Sequence, residues 1–149
     1  MRDSIFPRAI KITLLIAFLC SSILNAATTR YVKFGGAGSK TGLDWSNASP
    51  DLQTMINASA DGDAIYMASG TYSLNTVVWN KAVNIYGGFN SASPESNISN
   101  RVMSDNLTIS GGSTSFAWDF KYPTIISHTG NGRVLNTSGF TQIAYFDGF

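Results

Sequence analysis

The residues that could do chemistry are few and scattered along the chain. His128 is the only histidine, and a lone histidine is more often a turn or surface residue than a base or a metal ligand. Hydrolysis of a glycosidic bond needs two carboxyl groups roughly 5–9 Å apart. Asp105 and Asp119 are the pair that could meet, although the sequence places neither, and Asp119 and Asp147 each stand alone in their neighbourhoods. Asp61 and Asp63 flank Gly62; the ordinary role of such a pair is to accept hydrogen bonds from turn amides, with calcium binding as the alternative. No catalytic residue, cofactor or metal site is assigned on these grounds. The aromatic residues Trp79, Trp118, Phe120 and Tyr122 cluster near turn-rich stretches. Exposed aromatic faces stack against the C–H groups of sugars, which makes these four the candidate ligand contacts. The competing role is packing against the wall of the fold, because aromatic rings carry large buried areas; of the two, packing is favoured.

Such residues need a frame, and Asp61–Phe89 supplies the clearest one. Ile65 and Met67 alternate with Tyr66 and Ala68, and Val83 and Ile85 with Asn84 and Tyr86. Period-two alternation over a few residues predicts strands. Each run ends in small residues, Ser69-Gly70 and Gly87-Gly88, and a turn-rich excursion joins them. The runs lie about 20 residues apart, roughly one coil of a β-solenoid. Ile65, Met67, Val83, Ile85, Leu107 and Ile109 are the expected inward set. Carboxylates one coil apart would stack about 4.8 Å from each other, but a coil step from Asp63 reaches Ile85 and one back from Asp105 reaches Val83, so no carboxylate ladder forms.

The run DGDAIYMASGTY at 61–72 resembles the "GD-x-I-x-V-x-x-G-x-Y" signature of secreted bacterial right-handed parallel β-helix proteins of the pectate-lyase-like superfamily. VNIYGGF at 83–89 is similar to the coil that follows it there. Tyr31-Val32-Lys33 with Gly35-Gly36 and Trp45 resembles the entry of the same proteins. The resemblance covers most of the chain after residue 27. It implies an all-β, right-handed parallel β-helix. It leaves function open, because that superfamily mixes enzymes with non-enzymes. Uronide lyases among them use a metal ion and a Lys or Arg base, and the ladder of oxygen ligands such a metal needs is what this sequence lacks.

Residues 1–27 read as a signal peptide. Arg2, Arg8 and Lys11 precede an apolar run, Ile12–Leu24, and Asn25-Ala26-Ala27 offers a small-residue cleavage site. The run is short of the roughly 20 residues that a membrane span needs. Cys20, the only cysteine, would leave with it, and Leu19 before it departs from a lipobox. Removing Arg2, Arg8, Lys11 and Asp3 leaves seven basic residues against eight acidic ones, a net charge of −1. A near-neutral mature chain does not announce a nucleic-acid partner.

Residues 28–60 are expected to form a leader strand at Tyr31–Phe34 and a capping helix at Ser49–Ala60. Ser49 is the expected N-cap, Pro50 the first helical residue, and Leu52, Met55 and Ile56 the apolar face. Gly62 ends the helix, and Trp45 is assigned to the cap. The glycines around Lys40-Thr41 do not make a phosphate loop, because Ser39 stands where glycine is required. Five Asn-x-Ser/Thr triplets, at Asn47, Asn57, Asn97, Asn106 and Asn136, follow from an Asn- and Ser-rich composition.

Residues 61–149 are read as the first four or five coils. Asn90–Asn106 and Ser113–Pro123 are loop excursions, and Leu107–Ile109, Thr124–Ser127, Val134–Asn136 and Gln142–Phe146 are further strands. The chain then breaks mid-coil after Asp147-Gly148-Phe149, an open end expected to self-associate. The expectation is a secreted or outer-surface protein without catalysis, adhesive or in contact with a polysaccharide or surface glycan. The alternative is the N-terminal fragment of a polysaccharide lyase or glycoside hydrolase with catalytic coils beyond residue 149.

Overall fold

A computed structural model describes residues 26–104, 109–110, 113–114 and 119–149. The segment read as a signal peptide lies outside these residues but for Ala26 and Ala27. The described chain is mostly strand, paired in parallel, with little helix. Strand β1 (Thr29–Val32) is followed by helix α1 (Leu52–Ala58), then β2 (Ala64–Ala68), β3 (Gly70–Leu74), β4 (Val77–Trp79) and β5 (Asn84–Phe89). Further on come β6 (Ile109–Ser110), β7 (Ser113–Thr114), β8 (Thr124–His128), β9 (Leu135–Thr137) and β10 (Phe146–Asp147). One sheet runs in the order β1-β2-β5-β10, and three two-stranded sheets are β3-β8, β4-β9 and β6-β7. All the pairings are parallel except β6-β7.

The alternation read from the sequence sets the register. Ile65 stands opposite Ile85, and Arg30 and Phe146 continue that row on either side. Val32, Ile65, Met67, Val83 and Ile85 are fully buried and form a core with Leu52, Met55, Ile56, Tyr72, Val77 and Trp79. Burying a side chain of this size stabilises the fold by about 1.5–3 kcal/mol. Four of the six expected inward residues are thus where alternation put them. Leu107 lies outside the described residues, and Ile109 is described only in its backbone.

Several local expectations are corrected. The stretch between β2 and β5 is not merely an excursion: it contains β3 and β4, which turn Tyr72, Val77 and Trp79 into the core. Ile109–Ser110 pairs antiparallel with Ser113–Thr114, a short hairpin in place of a coil side. The strand expected over Gln142–Phe146 is confined to β10, with Ile143 and Tyr145 exposed. Strand β1 ends at Val32, and Phe34 projects into solvent.

The helix begins later than expected because Ser49 is already committed. Its amide donates to Tyr31 O and its carbonyl accepts from Lys33 N, so Ser49 completes the outer edge of β1 together with Gly42, whose carbonyl accepts from Tyr31 N. Asp51 takes the N-cap instead, its carboxylate accepting from Thr54 N at 2.9 Å, which satisfies one of the unpaired first-turn donors. Ser59, not Gly62, closes the helix. Gly62 follows in the turn to β2 with φ +89°, a conformation that favours glycine. The last helical carbonyls receive cations from elsewhere: Lys81 Nζ donates to Asn57 O and Ser59 O, and Arg30 Nη2 to Ala58 O, all at 2.6 Å. On the facing side Gln53 Oε1 accepts from Val78 N at 2.6 Å and Gln53 Nε2 donates to Val78 O at 3.0 Å. One side-chain amide thereby does for the edge of β4 what a neighbouring strand would do.

Candidate functional site

The aspartates at the helix exit are structural. Asp63 is buried; its Oδ1 accepts from Thr28 N at 2.7 Å and its Oδ2 from Ala60 N at 2.8 Å. Asp61 Oδ1 accepts from Ala82 N at 2.8 Å. These three bonds tie β1, the helix exit and the approach to β5 together. His128 is likewise engaged: Nδ1 accepts from Gly130 N at 3.0 Å, and Nε2 lies 3.3 Å from Thr76 Oγ1. Among the described residues no group of three or more His, Cys, Asp or Glu is arranged to hold a metal ion.

The four aromatic candidates separate. Trp79 is buried, its indole N–H donates to Val83 O at 3.1 Å, and Phe140 packs against its ring edge-to-face at 5.0 Å. It is a core residue and offers no open face to a sugar. Trp118 lies outside the described residues. Tyr122 is half-buried, with the Lys121 ammonium 5.8 Å from its ring centre. Phe120 is also half-buried and borders a cleft of about 600 Å³ lined by Ser104, Asp119, Phe120, Lys121, Pro123, Asp147, Gly148 and Phe149.

Three segments build this cleft. Ser104 lies in the stretch after β5, and its amide donates to the Asp119 carbonyl at 2.6 Å. Phe120 is seated on Gly88, where a Cβ would stand 2.6 Å from the ring and push it aside, and where φ of +84° itself favours glycine. Asp147, Gly148 and Phe149 arrive with β10. Arg101 links these parts: Nη1 donates to Gly87 O at 2.9 Å, Nε to Ile98 O at 3.1 Å and Nη2 to Asp147 Oδ2 at 2.7 Å, while the guanidinium lies 4.4 Å from the Phe120 ring centre. The cleft sets apolar rings beside two carboxylates, an ammonium and a hydroxyl. Such a mixture can stack on the C–H face of a saccharide and bond its hydroxyls.

Of the residues gathered here, sequence reasoning named Phe120 as a ligand-contact candidate and Asp119 and Asp147 as isolated carboxylates, and it singled out neither Arg101, Lys121 nor Phe149. No local signal marks them, because they are assembled from segments far apart in the chain. A second feature was legible and not read. Tyr31, Tyr66 and Tyr86 occupy one register row on the outward face of the large sheet. Their rings meet edge-to-face at 5.8 and 6.0 Å, with Trp45 4.8 Å from Tyr31 and Phe89 stacked on Tyr66 at 4.6 Å. Trp45, assigned to the cap from the sequence, packs in this aromatic row, and its indole N–H donates to Glu95 O at 3.1 Å. Desolvation, reinforced by Tyr66, pushes the Tyr31 and Tyr86 hydroxyls above the usual phenol range. The alternation that put Ile65 and Ile85 inward requires Tyr66 and Tyr86 to stack outward.

No family model matches this chain, and no curated protein and no solved structure matches it.

Proposed function

We propose that this chain is an exported, non-catalytic surface or secreted protein built on a right-handed parallel β-helix of the pectate-lyase-like kind, and that it contacts a polysaccharide or cell-surface glycan. The β-helix reading is supported by the order of pairing. The chain passes through β2, β3 and β4 and returns to pair β5 with β2. It then pairs β8 with β3, β9 with β4 and β10 with β5. Export rests on the basic, apolar and small-residue segments at the N-terminus. No helix among the described residues is long and apolar enough to cross a membrane.

The observation that carries the glycan reading is the cleft itself, where Phe120 and Phe149 stand beside Asp119, Lys121 and Ser104. The absence of catalysis is supported by the employment of Asp61, Asp63 and His128 in backbone bonding. Affinity electrophoresis against a panel of neutral and acidic polysaccharides tests this function. Retardation that Phe149→Ala abolishes, with no product released, is the expected result. Migration unchanged by every polysaccharide overturns it.

One observation favours the alternative, the N-terminal part of a polysaccharide lyase or glycoside hydrolase: Asp119, Lys121 and Asp147 line the same cleft. Unsaturated or newly reducing ends released by the full chain, and lost in Asp119→Asn, would make that the better reading.

A further inference from the structure

Of the four strands that come first in their sheets, three belong to the parallel sheets, β1, β3 and β4, and among the described residues the outer edge of none of the three faces another strand. Two of these edges are closed by the chain itself. Gly42 and Ser49 bond the edge of β1, and the Gln53 amide bonds that of β4. The third, β3, pairs among the described residues with β8 on one side only. Gly70 N donates to Pro123 O and Leu74 O accepts from Thr129 N on that side. Backbone groups alternate in direction along a strand, so the N–H and C=O of Thr71 and Ser73 face away from β8. Both residues are exposed.

Two cavities meet β3 where this edge runs. One, of about 410 Å³, lies at Gly70 and Thr71 and is walled by Lys33 and Phe34. The other, of about 490 Å³, lies at Ser73–Val77 and is walled by Pro50, Asp51 and Gln53. A positive charge thus marks the beginning of the strand and a negative charge its end. Backbone donors and acceptors in a row are matched best by another backbone in extended form. Cavities of this size take the side chains of a single strand, not the face of a folded domain.

We propose that the open edge of β3 takes up an extended peptide strand from another protein, parallel to β3, with an acidic residue beside Lys33 and a basic residue beside Asp51. Five residues at about 3.3 Å each span the edge, so the two charges belong four positions apart. Thr71 and Ser73 supply the hydrogen bonds, and Lys33 and Asp51 set the direction.

The test uses the full chain and a fluorescent peptide, acetyl-Glu-Val-Thr-Val-Lys-amide, read by anisotropy at several salt concentrations. Saturable binding, weakened about three-fold by Lys33→Gln or by Asp51→Asn, is expected; asparagine keeps the helix cap. Ser73→Pro removes a donor on the open side and should cost about ten-fold. A peptide with proline at its central position, which leaves the protein untouched, should bind as poorly. Equal binding of the charge-reversed peptide would overturn the assigned direction. No binding of either peptide would overturn the site. A concentration-dependent dimer lost in Ser73→Pro would overturn the occupant in favour of a second copy of this chain.

Discussion

Arg101 Nη2 donates to Asp147 Oδ2 at 2.7 Å, and this bond joins the loop after β5 to β10. The partners differ in environment: the Arg101 side chain is 9% exposed and that of Asp147 52%. Arginine's remaining donors meet backbone carbonyls at Gly87 and Ile98. The charge on Asp147 is therefore largely in water, whereas the guanidinium is enclosed.

That asymmetry predicts unequal mutants. Asp147→Asn should cost about 0.5 kcal/mol, the scale of an exposed ion pair. Arg101→Ala should cost about 2–3 kcal/mol, because three carbonyl or carboxylate acceptors lose a charged donor and the Phe120 ring loses its neighbour. Urea denaturation curves of the two variants decide. Equal losses would mean that the ion pair alone matters.

The register makes a sharp contrast between adjacent residues. Ile85 is fully buried, and Ile85→Asp should abolish cooperative unfolding, because an unpaired charge in an apolar core is costly. Asn84 Oδ1 accepts from Tyr145 N at 3.0 Å. Asn84→Asp keeps an acceptor there, so a shift in melting temperature of a few degrees at most is expected. Circular dichroism melts check both.

Tyr72 makes a pH prediction. Burial raises its hydroxyl from 10.0 to about 12, a contact with the Phe34 backbone opposing, and the O–H donates to Ala68 O at 2.8 Å. The folded state thus keeps the neutral phenol after the unfolded state has ionised. Its contribution to stability is complete below pH 10 and is lost as pH climbs from 10 through 12. Ultraviolet titration should show a late-ionising group of tyrosines, because Tyr31 and Tyr86 are raised as well, and the component near 12 should disappear in Tyr72→Phe. The variant's stability should also fall less steeply above pH 10 than that of the parent.

Asp63 and Asp61 should also part company. Asp63→Asn leaves one of two amide donors without its carboxylate oxygen and should cost about 2 kcal/mol. Asp61→Asn retains an acceptor for Ala82 N and should cost under about 1 kcal/mol. Thermal melts with calcium or with a chelator should coincide. A calcium-dependent rise that both variants lose would restore the metal-binding role for this pair.

How much was legible depended on how local each signal was. Alternation at Ile65, Met67, Val83 and Ile85 names the buried face, because each strand carries its own period. Leu52, Met55 and Ile56 likewise announced the apolar face of α1. The helix start was misread since Ser49 is an excellent cap by type, and only its bonds to Tyr31 in β1 and to Lys33 just beyond that strand disqualify it. Strands β3 and β4 were hidden because GTYSL and VVW are short and sit among turn residues. The cleft was mostly illegible: Phe120 stands out as an aromatic, whereas Arg101 and Asp147 gain their meaning only from meeting 46 residues apart.

Partner spacing bears on the order of assembly. Ile65 and Ile85 meet across 20 residues, whereas Gly70 and Thr124 meet across 54, the added length being mostly the stretch between β5 and β8. Closing the longer loop costs only about 0.9 kcal/mol more, since the entropy grows with the logarithm of length. That stretch can therefore lengthen or shorten over time at little thermodynamic expense, and relatives differing most there would keep the same sheets. The kinetic effect is larger in kind: β2 and β5 can find each other while the chain beyond residue 90 is still a coil, and β8 and β9 then close onto a wall already standing. Growth outward from one early pair is the expected order of folding, with the joins of longest sequence separation made last.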